Sequence, residues 1–118
     1  MSSRFETFDP DVARDRFRTA WSEETSTRYS AATPARGQCG ATALVAQLIH
    51  GGSIEQTIVD GEAHFYNRID GERHDLTDEQ FDQPPMYRDV AVTREAAMAD
   101  TTTDQYATLL RRYRELLD

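Results

Sequence analysis

The residues of this chain best suited to chemistry lie between Arg36 and Phe81. That stretch holds Cys39, the only cysteine among 118 residues, close to the start of a predicted helix. The positive end of a helix dipole and the unpaired backbone N–H groups there favour the thiolate, which is the reactive form of cysteine. The same N–H groups can receive the oxyanion that forms when a thiolate attacks a carbonyl carbon. The pattern therefore favours a nucleophilic site, provided that a base takes the proton of the thiol.

The register of a predicted hairpin selects the base. Asp70-Gly71 is typical of a two-residue type I′ turn, and pairing back from it places Tyr66 opposite Asp75. Opposed residues point to one face of a sheet and side chains alternate along a strand, so His64 shares a face with Asp75, whereas His74 lies on the other. His64 and Asp75 are then diagonal neighbours with backbones about 7–8 Å apart. A cysteine with a histidine that an aspartate orients is the generalised catalytic triad.

The three candidate residues meet if this sheet face packs on the correct side of the helix. Cys39 is in line with Ala43 and Ala46, and these alanines leave room for another element to pack closely. We therefore expect the face that carries His64 and Asp75 to cover this side of the helix.

Other interpretations stay open. A lone cysteine is most often a small buried hydrophobe, His64 can be a hydrogen-bonded core residue, and Asp75 can cap the turn after it. A zinc site would need Cys39 with His50, His64 and His74, a spacing that matches no usual ligand pattern. The chain also has no GxxxxGK[ST] or GxGxxG motif. The sequence thus predicts neither a metal nor a cofactor.

The order of patterns predicts one α+β domain over residues 1–118, with residues 1–8 as a flexible tail. In chain order the predicted elements are a helix from Pro10 capped by Asp9, a helix from Gln38 to His50, strands at 54–59, 62–69 and 72–76, a helical turn ending near Phe81, a strand at 88–93, a helix at 93–99 and a terminal helix capped by Thr102. The central helix is apolar nearly all round, so we expect it to be buried on both sides. It should pack on a small antiparallel sheet, with amphipathic helices at both ends of the chain.

Charge narrows the range of partners. The 21 acidic residues outnumber 13 basic ones, all of them arginine, for a net charge of −8. A negative surface repels phosphate and anionic lipid, so we expect neither nucleic acid nor a membrane as partner. The chain has no apolar window near the roughly 20 residues of a membrane span and no apolar signal segment at its start, so a cytoplasmic protein is expected. Acidity without lysine is typical of a salt-rich, halophilic cytoplasm and equally of a GC-rich genome.

The stretch GQCGATALV…GG…HFYNR…DG…DLTDEQF resembles the YunG-like family of small, largely uncharacterised prokaryotic proteins. Trp21-Ser22, the segment 24–26 and the terminal region 106–112 also look like that family, so the resemblance runs from about residue 20 to the end. More distantly, the order Cys39, His64, Asp75 and the lettering H-x-x-N…DG…D-x-T are similar to transglutaminase-like and papain-like domains.

The distant resemblance implies a papain/transglutaminase-like core with residue roles. Cys39 would be the nucleophile, His64 the base, Asp75 the residue that orients the base, and Gln38 an oxyanion donor. One hypothesis is then a cysteine-dependent acyl-transfer or amide-hydrolysing enzyme acting on a small-molecule or peptide substrate. The alternative is a non-catalytic binding or scaffold module with a degenerate papain-like core, in which these side chains form a buried polar network.

Overall fold

The computed structural model describes residues 8–117. Residues 1–7 and Asp118 lie outside the described residues, and with them most of the predicted flexible tail. Phe8, the last residue of that predicted tail, packs edge-on against the rings of His50 and His74, with centroids 4.8 and 5.0 Å apart. Phe8 therefore belongs to the packed domain and not to a tail.

The described residues form an α+β domain of four helices and four strands. The helices are α1 (Pro10–Ala20), α2 (Cys39–His50), α3 (Arg94–Met98) and α4 (Thr103–Glu115). The strands are β1 (Ser53–Val59), β2 (Glu62–Ile69), β3 (Glu72–His74) and β4 (Val90–Val92), with a 3₁₀ turn at Asp78–Gln80. They form one antiparallel sheet in the order β3-β2-β1-β4. The predicted α+β class, the small antiparallel sheet and the order of the elements are confirmed.

Local side-chain chemistry accounts for the helix ends. Asp9 accepts hydrogen bonds from the first backbone N–H groups of α1, and Pro10 takes the first helical position, where its missing N–H costs nothing. Thr93 and Thr102 cap α3 and α4 in the same way. Gly51-Gly52 leaves α2 with φ of 83° and 78°, a conformation that glycine adopts without strain.

The two Asp-Gly turns set the register of the sheet. Asp60-Gly61 and Asp70-Gly71 have φ between 51° and 81°, as a type I′ turn requires at both of its central residues. The second turn pairs Asn67 with His74 and thereby confirms the predicted register of β2 with β3. Strand β4 joins the opposite edge by pairing with β1.

Strand β3 ends at His74, two residues earlier than the predicted strand. The Oδ1 atom of Asp75 accepts a hydrogen bond from the Thr77 N–H at 3.2 Å, which turns the chain at this point. The Asp75 carbonyl oxygen accepts from Arg14 Nη2 at 2.9 Å. These contacts replace the strand pairing that residues 75 and 76 would otherwise make.

Helix α2 is buried on two sides, as its composition predicts. One side packs into a core cluster with α1 and α4 through Ala41, Val45 and Ala46. The other side packs with β2 and α3 through Cys39, Ala43 and Leu44. Leu48, which is 54 % exposed, is an exception to the expected burial. Neither α2 nor any other helix in residues 8–117 is long and apolar enough to cross a membrane.

The sheet face that packs on α2 is not the predicted one. Phe65 lies in the apolar cluster beneath α2, and Asn67 Nδ2 donates to the Ala43 carbonyl oxygen at 3.0 Å. Because side chains alternate along β2, His64 projects from the opposite face, on the side of Asp75. The expectation that the face of His64 and Asp75 covers the helix is therefore wrong. The apolar ring of Phe65 packs there with Leu44 and Ile54, and this packing removes apolar surface from water.

A segment of residues 82–89, here called the strap, covers part of the polar sheet face. Thr57 Oγ1 donates to the Met86 carbonyl oxygen at 2.6 Å. The Tyr66 hydroxyl donates to Asp89 Oδ1 at 3.0 Å and accepts from the Asp89 N–H at 2.8 Å. The polar groups of this face thus find their partners in the strap, as buried polar groups require.

Replacing Thr42 with valine is expected to lower the free energy of unfolding by about 1–3 kcal/mol. Trp21 is buried, and its Nε1–H donates to Thr42 Oγ1 at 3.0 Å. Valine nearly conserves the volume but leaves the indole N–H without this acceptor. Urea denaturation measures the change, with Thr103→Val on the exposed start of α4 as control. Equal stability losses in the two variants would contradict the prediction.

Candidate active site

His64 and Asp75 form a buried hydrogen-bonded pair. His64 Nε2 lies 2.7 Å from Asp75 Oδ2, and the residues are only 3 % and 5 % exposed. Because the carboxylate is an acceptor, Nε2 carries the proton of a neutral imidazole and Nδ1 is left able to accept one. The structure therefore brings together the proposed base and the residue predicted to orient it.

Four donors converge on the Asp75 carboxylate. Oδ2 accepts from His64 and also from the Tyr87 hydroxyl at 2.7 Å. Oδ1 accepts from the N–H and the hydroxyl of Thr77 at 3.2 and 3.3 Å. An ionised carboxylate is an acceptor at both oxygens, so this set suits it well. The predicted cap of the Thr77 turn and the predicted contact with His64 thus coexist, one on each oxygen.

Cys39 is the first residue of α2, as predicted, but its environment opposes the thiolate. Burial raises the pKa of the Cys39 thiol well above its ordinary value, and the neighbouring Asp100 carboxylate raises it further. The backbone N–H of Phe65 acts in the opposite direction and is outweighed. Burial and Asp100 thus act against the thiolate that the helix N-terminus was expected to stabilise.

Asp100 lies between α3 and α4 and occupies the N-terminal end of α2. Its Oδ2 atom lies 3.4 Å from Cys39 Sγ and accepts a hydrogen bond from the Gly40 N–H at 3.1 Å. A Cβ atom at Gly40 would lie 2.6 Å from that oxygen, so only glycine permits this approach without a shift. Burial raises the pKa of the Asp100 carboxyl, although the thiol and the Gly40 N–H lower it. The carboxylate fills the position beside the Gly40 N–H at which the sequence predicts that an oxyanion binds.

Cys39 and His64 line one cleft, with a volume of about 880 Å³. Asp100 also lines this cleft, and Arg28 and Arg36 contribute positive charge to the lining. Among the hydrogen bonds of the described residues, that of the thiol goes to Asp100, and none joins it to His64. The thiol and the imidazole thus share access to one space without a direct bond.

Gln38, the proposed oxyanion donor, is fully buried next to Cys39. Its Oε1 accepts from the Thr25 hydroxyl at 2.8 Å. Its Nε2 is buried without a hydrogen-bond partner within residues 8–117. Gln38 is not among the residues that line the cleft. Its role as an oxyanion donor stays a prediction.

The other two histidines contact different residues. His50 Nε2 lies 2.6 Å from the Tyr113 hydroxyl, and burial lowers the pKa of the His50 imidazole. His74 packs on Phe8. In the part of the chain that the structure describes, no three His, Cys, Asp or Glu residues form a group that could hold a metal ion.

Sequence reasoning missed two residues of this site, Asp100 and Tyr87. Asp100 follows α3, and Tyr87 lies in the strap after Pro84-Pro85, where no hydrophobic period indicates an orientation. Both reach the site through tertiary packing. The closest signal in the sequence is Gly40, a small residue at the start of a helix.

The fold and the site define a class of small α+β proteins with a cysteine at the start of a buried helix and a histidine–aspartate pair on the same cleft. The chain belongs to the YunG protein family, which matches residues 9–118. A relative from Bacillus subtilis (strain 168), called "Uncharacterized protein YunG", is 45% identical over 87 residues, covering 74% of this chain and 76% of the relative. No solved structure matches the chain. The predicted YunG-like membership is confirmed.

Replacing Asp100 with asparagine is expected to speed alkylation of Cys39 by iodoacetamide roughly tenfold at mildly alkaline pH. Asparagine keeps an acceptor for the Gly40 N–H but removes the negative charge next to the sulfur. The thiol pKa therefore falls, and the thiolate fraction rises at any pH below that pKa. Rates are measured by mass spectrometry under pseudo-first-order conditions.

Asp60→Asn is the matched control for this experiment, because Asp60 lines the same cleft at the exposed β1–β2 turn. It removes an equal charge without touching the thiol contact. If both variants react at the rate of the wild type, Asp100 does not control the state of Cys39.

Proposed function

We propose that this protein is a cysteine-dependent acyl-transfer or amide-hydrolysing enzyme. Cys39 attacks the carbonyl carbon of the substrate, His64 takes the proton of the thiol, and Asp75 holds the imidazole. The observation that carries the proposal is the buried 2.7 Å bond between His64 and Asp75 beside a cleft that Cys39 also lines. A structural histidine does not need a cleft that it shares with a thiol.

The chemistry begins from a neutral thiol. As the sulfur–carbon bond forms, the thiol proton passes to Nδ1 of His64, and the carbonyl π electrons move to the oxygen. The tetrahedral intermediate collapses, the leaving group takes the proton from the imidazolium, and a thioester on Cys39 remains. Attack by water then releases an acid, whereas attack by another nucleophile completes an acyl transfer.

The Gly40 N–H is the proposed donor to the oxyanion. It points to a position 3.4 Å from the sulfur, which Asp100 Oδ2 now fills. Entry of a substrate carbonyl oxygen therefore requires Asp100 to turn away. Asp100 can do so because the residue is exposed overall and lies in the turn between α3 and α4. Backbone donors of this kind commonly contribute several kcal/mol to transition-state stabilisation.

The order of the elements supports a distant relation to transglutaminase-like and papain-like domains. The cysteine begins a buried helix, the histidine lies on strand β2, and the aspartate directly follows β3. We extend the proposal to a small-molecule or peptide substrate in the cytoplasm, since the acidic chain disfavours nucleic acid and anionic lipid as partners.

The proposal is tested by acylation with p-nitrophenyl acetate. The wild type should release nitrophenolate and gain one acetyl group on Cys39, located by peptide mass mapping. Cys39→Ala should gain none at this position. If neither the wild type nor Asp100→Asn is acylated on Cys39, the proposed function is wrong.

The contact between Cys39 and Asp100 favours a second candidate, a non-catalytic binding or scaffold module. In that case the thiol, Asp100 and the Gly40 N–H form a polar network that joins α2 to the turn after α3. Cys39→Ser would then change the free energy of unfolding by about 1 kcal/mol, and no acyl adduct would form. The acylation experiment separates the two candidates.

A further inference from the structure

Asp75 Oδ2 accepts two hydrogen bonds of the same length, and only one of them comes from the proposed base. The His64 Nε2 and the Tyr87 hydroxyl each lie 2.7 Å from this oxygen. Tyr87 belongs to the strap and lies outside the strands of the sheet. Its hydroxyl reaches the Asp75 carboxylate because the strap packs over the sheet face that carries His64.

The strap is held by contacts of its own. Arg73 Nε and Nη2 donate to the two oxygens of Asp89 at 2.8 and 2.7 Å, and this contact lowers the pKa of Asp89 to about 2. The Arg73 guanidinium also lies 4.3 Å from the centre of the Tyr87 ring. The ring of Tyr66 meets that of Tyr87 edge-on at 5.0 Å. The Arg73 guanidinium and the Tyr66 ring thus hold the Tyr87 ring on two sides, in a position from which its hydroxyl contacts Asp75.

We propose that Tyr87 is a positioning residue of this site, which holds Asp75 Oδ2 from the strap and thereby fixes the imidazole of His64. The role rests on the proposed function and deepens it. Burial and the contact with Asp75 raise the pKa of the Tyr87 hydroxyl, so it stays a proton donor throughout the physiological range. The Tyr87 hydroxyl and His64 Nε2 both donate to the negatively charged Oδ2 of Asp75. The hydrogen bond from Tyr87 also restricts rotation of the carboxylate.

The test compares Tyr87→Phe with Tyr66→Phe. Tyr66 also bonds to the strap, through Asp89, but its hydroxyl does not contact Asp75. In Tyr87→Phe the aromatic ring stays between Arg73 and Tyr66, so the packing of the strap is retained. The first readout is the NMR resonance of the His64 Nε2–H in protein labelled with ¹⁵N-histidine.

In Tyr87→Phe this resonance should move downfield, because the whole charge of Asp75 Oδ2 then acts on one donor. In Tyr66→Phe it should stay at the wild-type position. A tyrosine that only packs would change the melting temperature without moving this resonance. The same resonance position in Tyr87→Phe and the wild type would overturn the proposal.

Two further measurements complete the test. In the wild type, the Tyr87 hydroxyl proton and the His64 Nε2–H should show a nuclear Overhauser cross-peak, since both lie on one oxygen; its absence would overturn the proposal without any variant. Acylation of Cys39 should be about tenfold slower in Tyr87→Phe than in Tyr66→Phe. If neither the wild type nor either variant is acylated on Cys39, the proposed function fails. The NMR measurements still decide whether Tyr87 positions Asp75 and His64.

Discussion

Replacing His64 with glutamine is expected to slow the acylation of Cys39 by a factor of about 10²–10⁴, the usual contribution of a general base. The glutamine amide can still donate to Asp75, but it cannot accept the proton of the thiol. The effect should be large because Cys39 starts as a neutral thiol whose pKa is raised by burial and by Asp100. Without a base in the cleft, the reaction depends on the small thiolate fraction.

The measurement is the rate of acetylation by p-nitrophenyl acetate, followed by intact mass. His74→Gln is the matched control, because His74 packs on Phe8 and does not line the cleft. Circular dichroism shows whether both variants are folded. Equal acylation rates in His64→Gln and His74→Gln would remove His64 from the mechanism.

Replacing Asp75 with alanine is expected to lower the free energy of unfolding by about 3–5 kcal/mol. The side chain is buried and accepts four hydrogen bonds, from His64, Tyr87 and both donors of Thr77. Its removal leaves these donors without an acceptor. Each buried donor without a hydrogen bond lowers the free energy of unfolding by roughly 1–3 kcal/mol. Water that enters from the cleft recovers part of that cost, so the sum is smaller than four full penalties.

Chemical denaturation at neutral pH measures this loss. Asp78→Ala is the control, since Asp78 bonds to Arg14 at a partly exposed position three residues along the chain. That ion pair should contribute no more than about 1 kcal/mol. A loss in Asp75→Ala as small as that in Asp78→Ala would show that the Asp75 network does not stabilise the fold.

Much of the fold could be predicted because its signals are local. An Asp-Gly pair sets a type I′ turn through the backbone preferences of two residues, and the turn then sets the register of β2 with β3. That register brings Asp75 to the end of β3 near His64, and the turn at Thr77 then completes the contact. The predicted caps at Asp9 and Thr102 are equally local.

The candidate site was only partly predictable, since some of its contacts join distant segments. The sequence indicates Cys39, His64 and Asp75, and it places Cys39 at the start of a buried helix. It does not show that Asp100, 61 residues away, bonds to the thiol. Nor does it show that Gln38 lies outside the cleft lining.

By itself the sequence determined the α+β class, the turns, the register and the pairing of His64 with Asp75, because each depends on neighbours within a hairpin or a helix turn. Only the tertiary structure decided which sheet face meets α2, which carboxylate faces the thiol and which tyrosine holds Asp75. Those choices depend on how whole elements bury apolar surface against each other, with Phe65 turned to the core and the strap laid over the polar face. Such packing depends on contacts between elements that are distant in the sequence, so no short stretch of residues determines it.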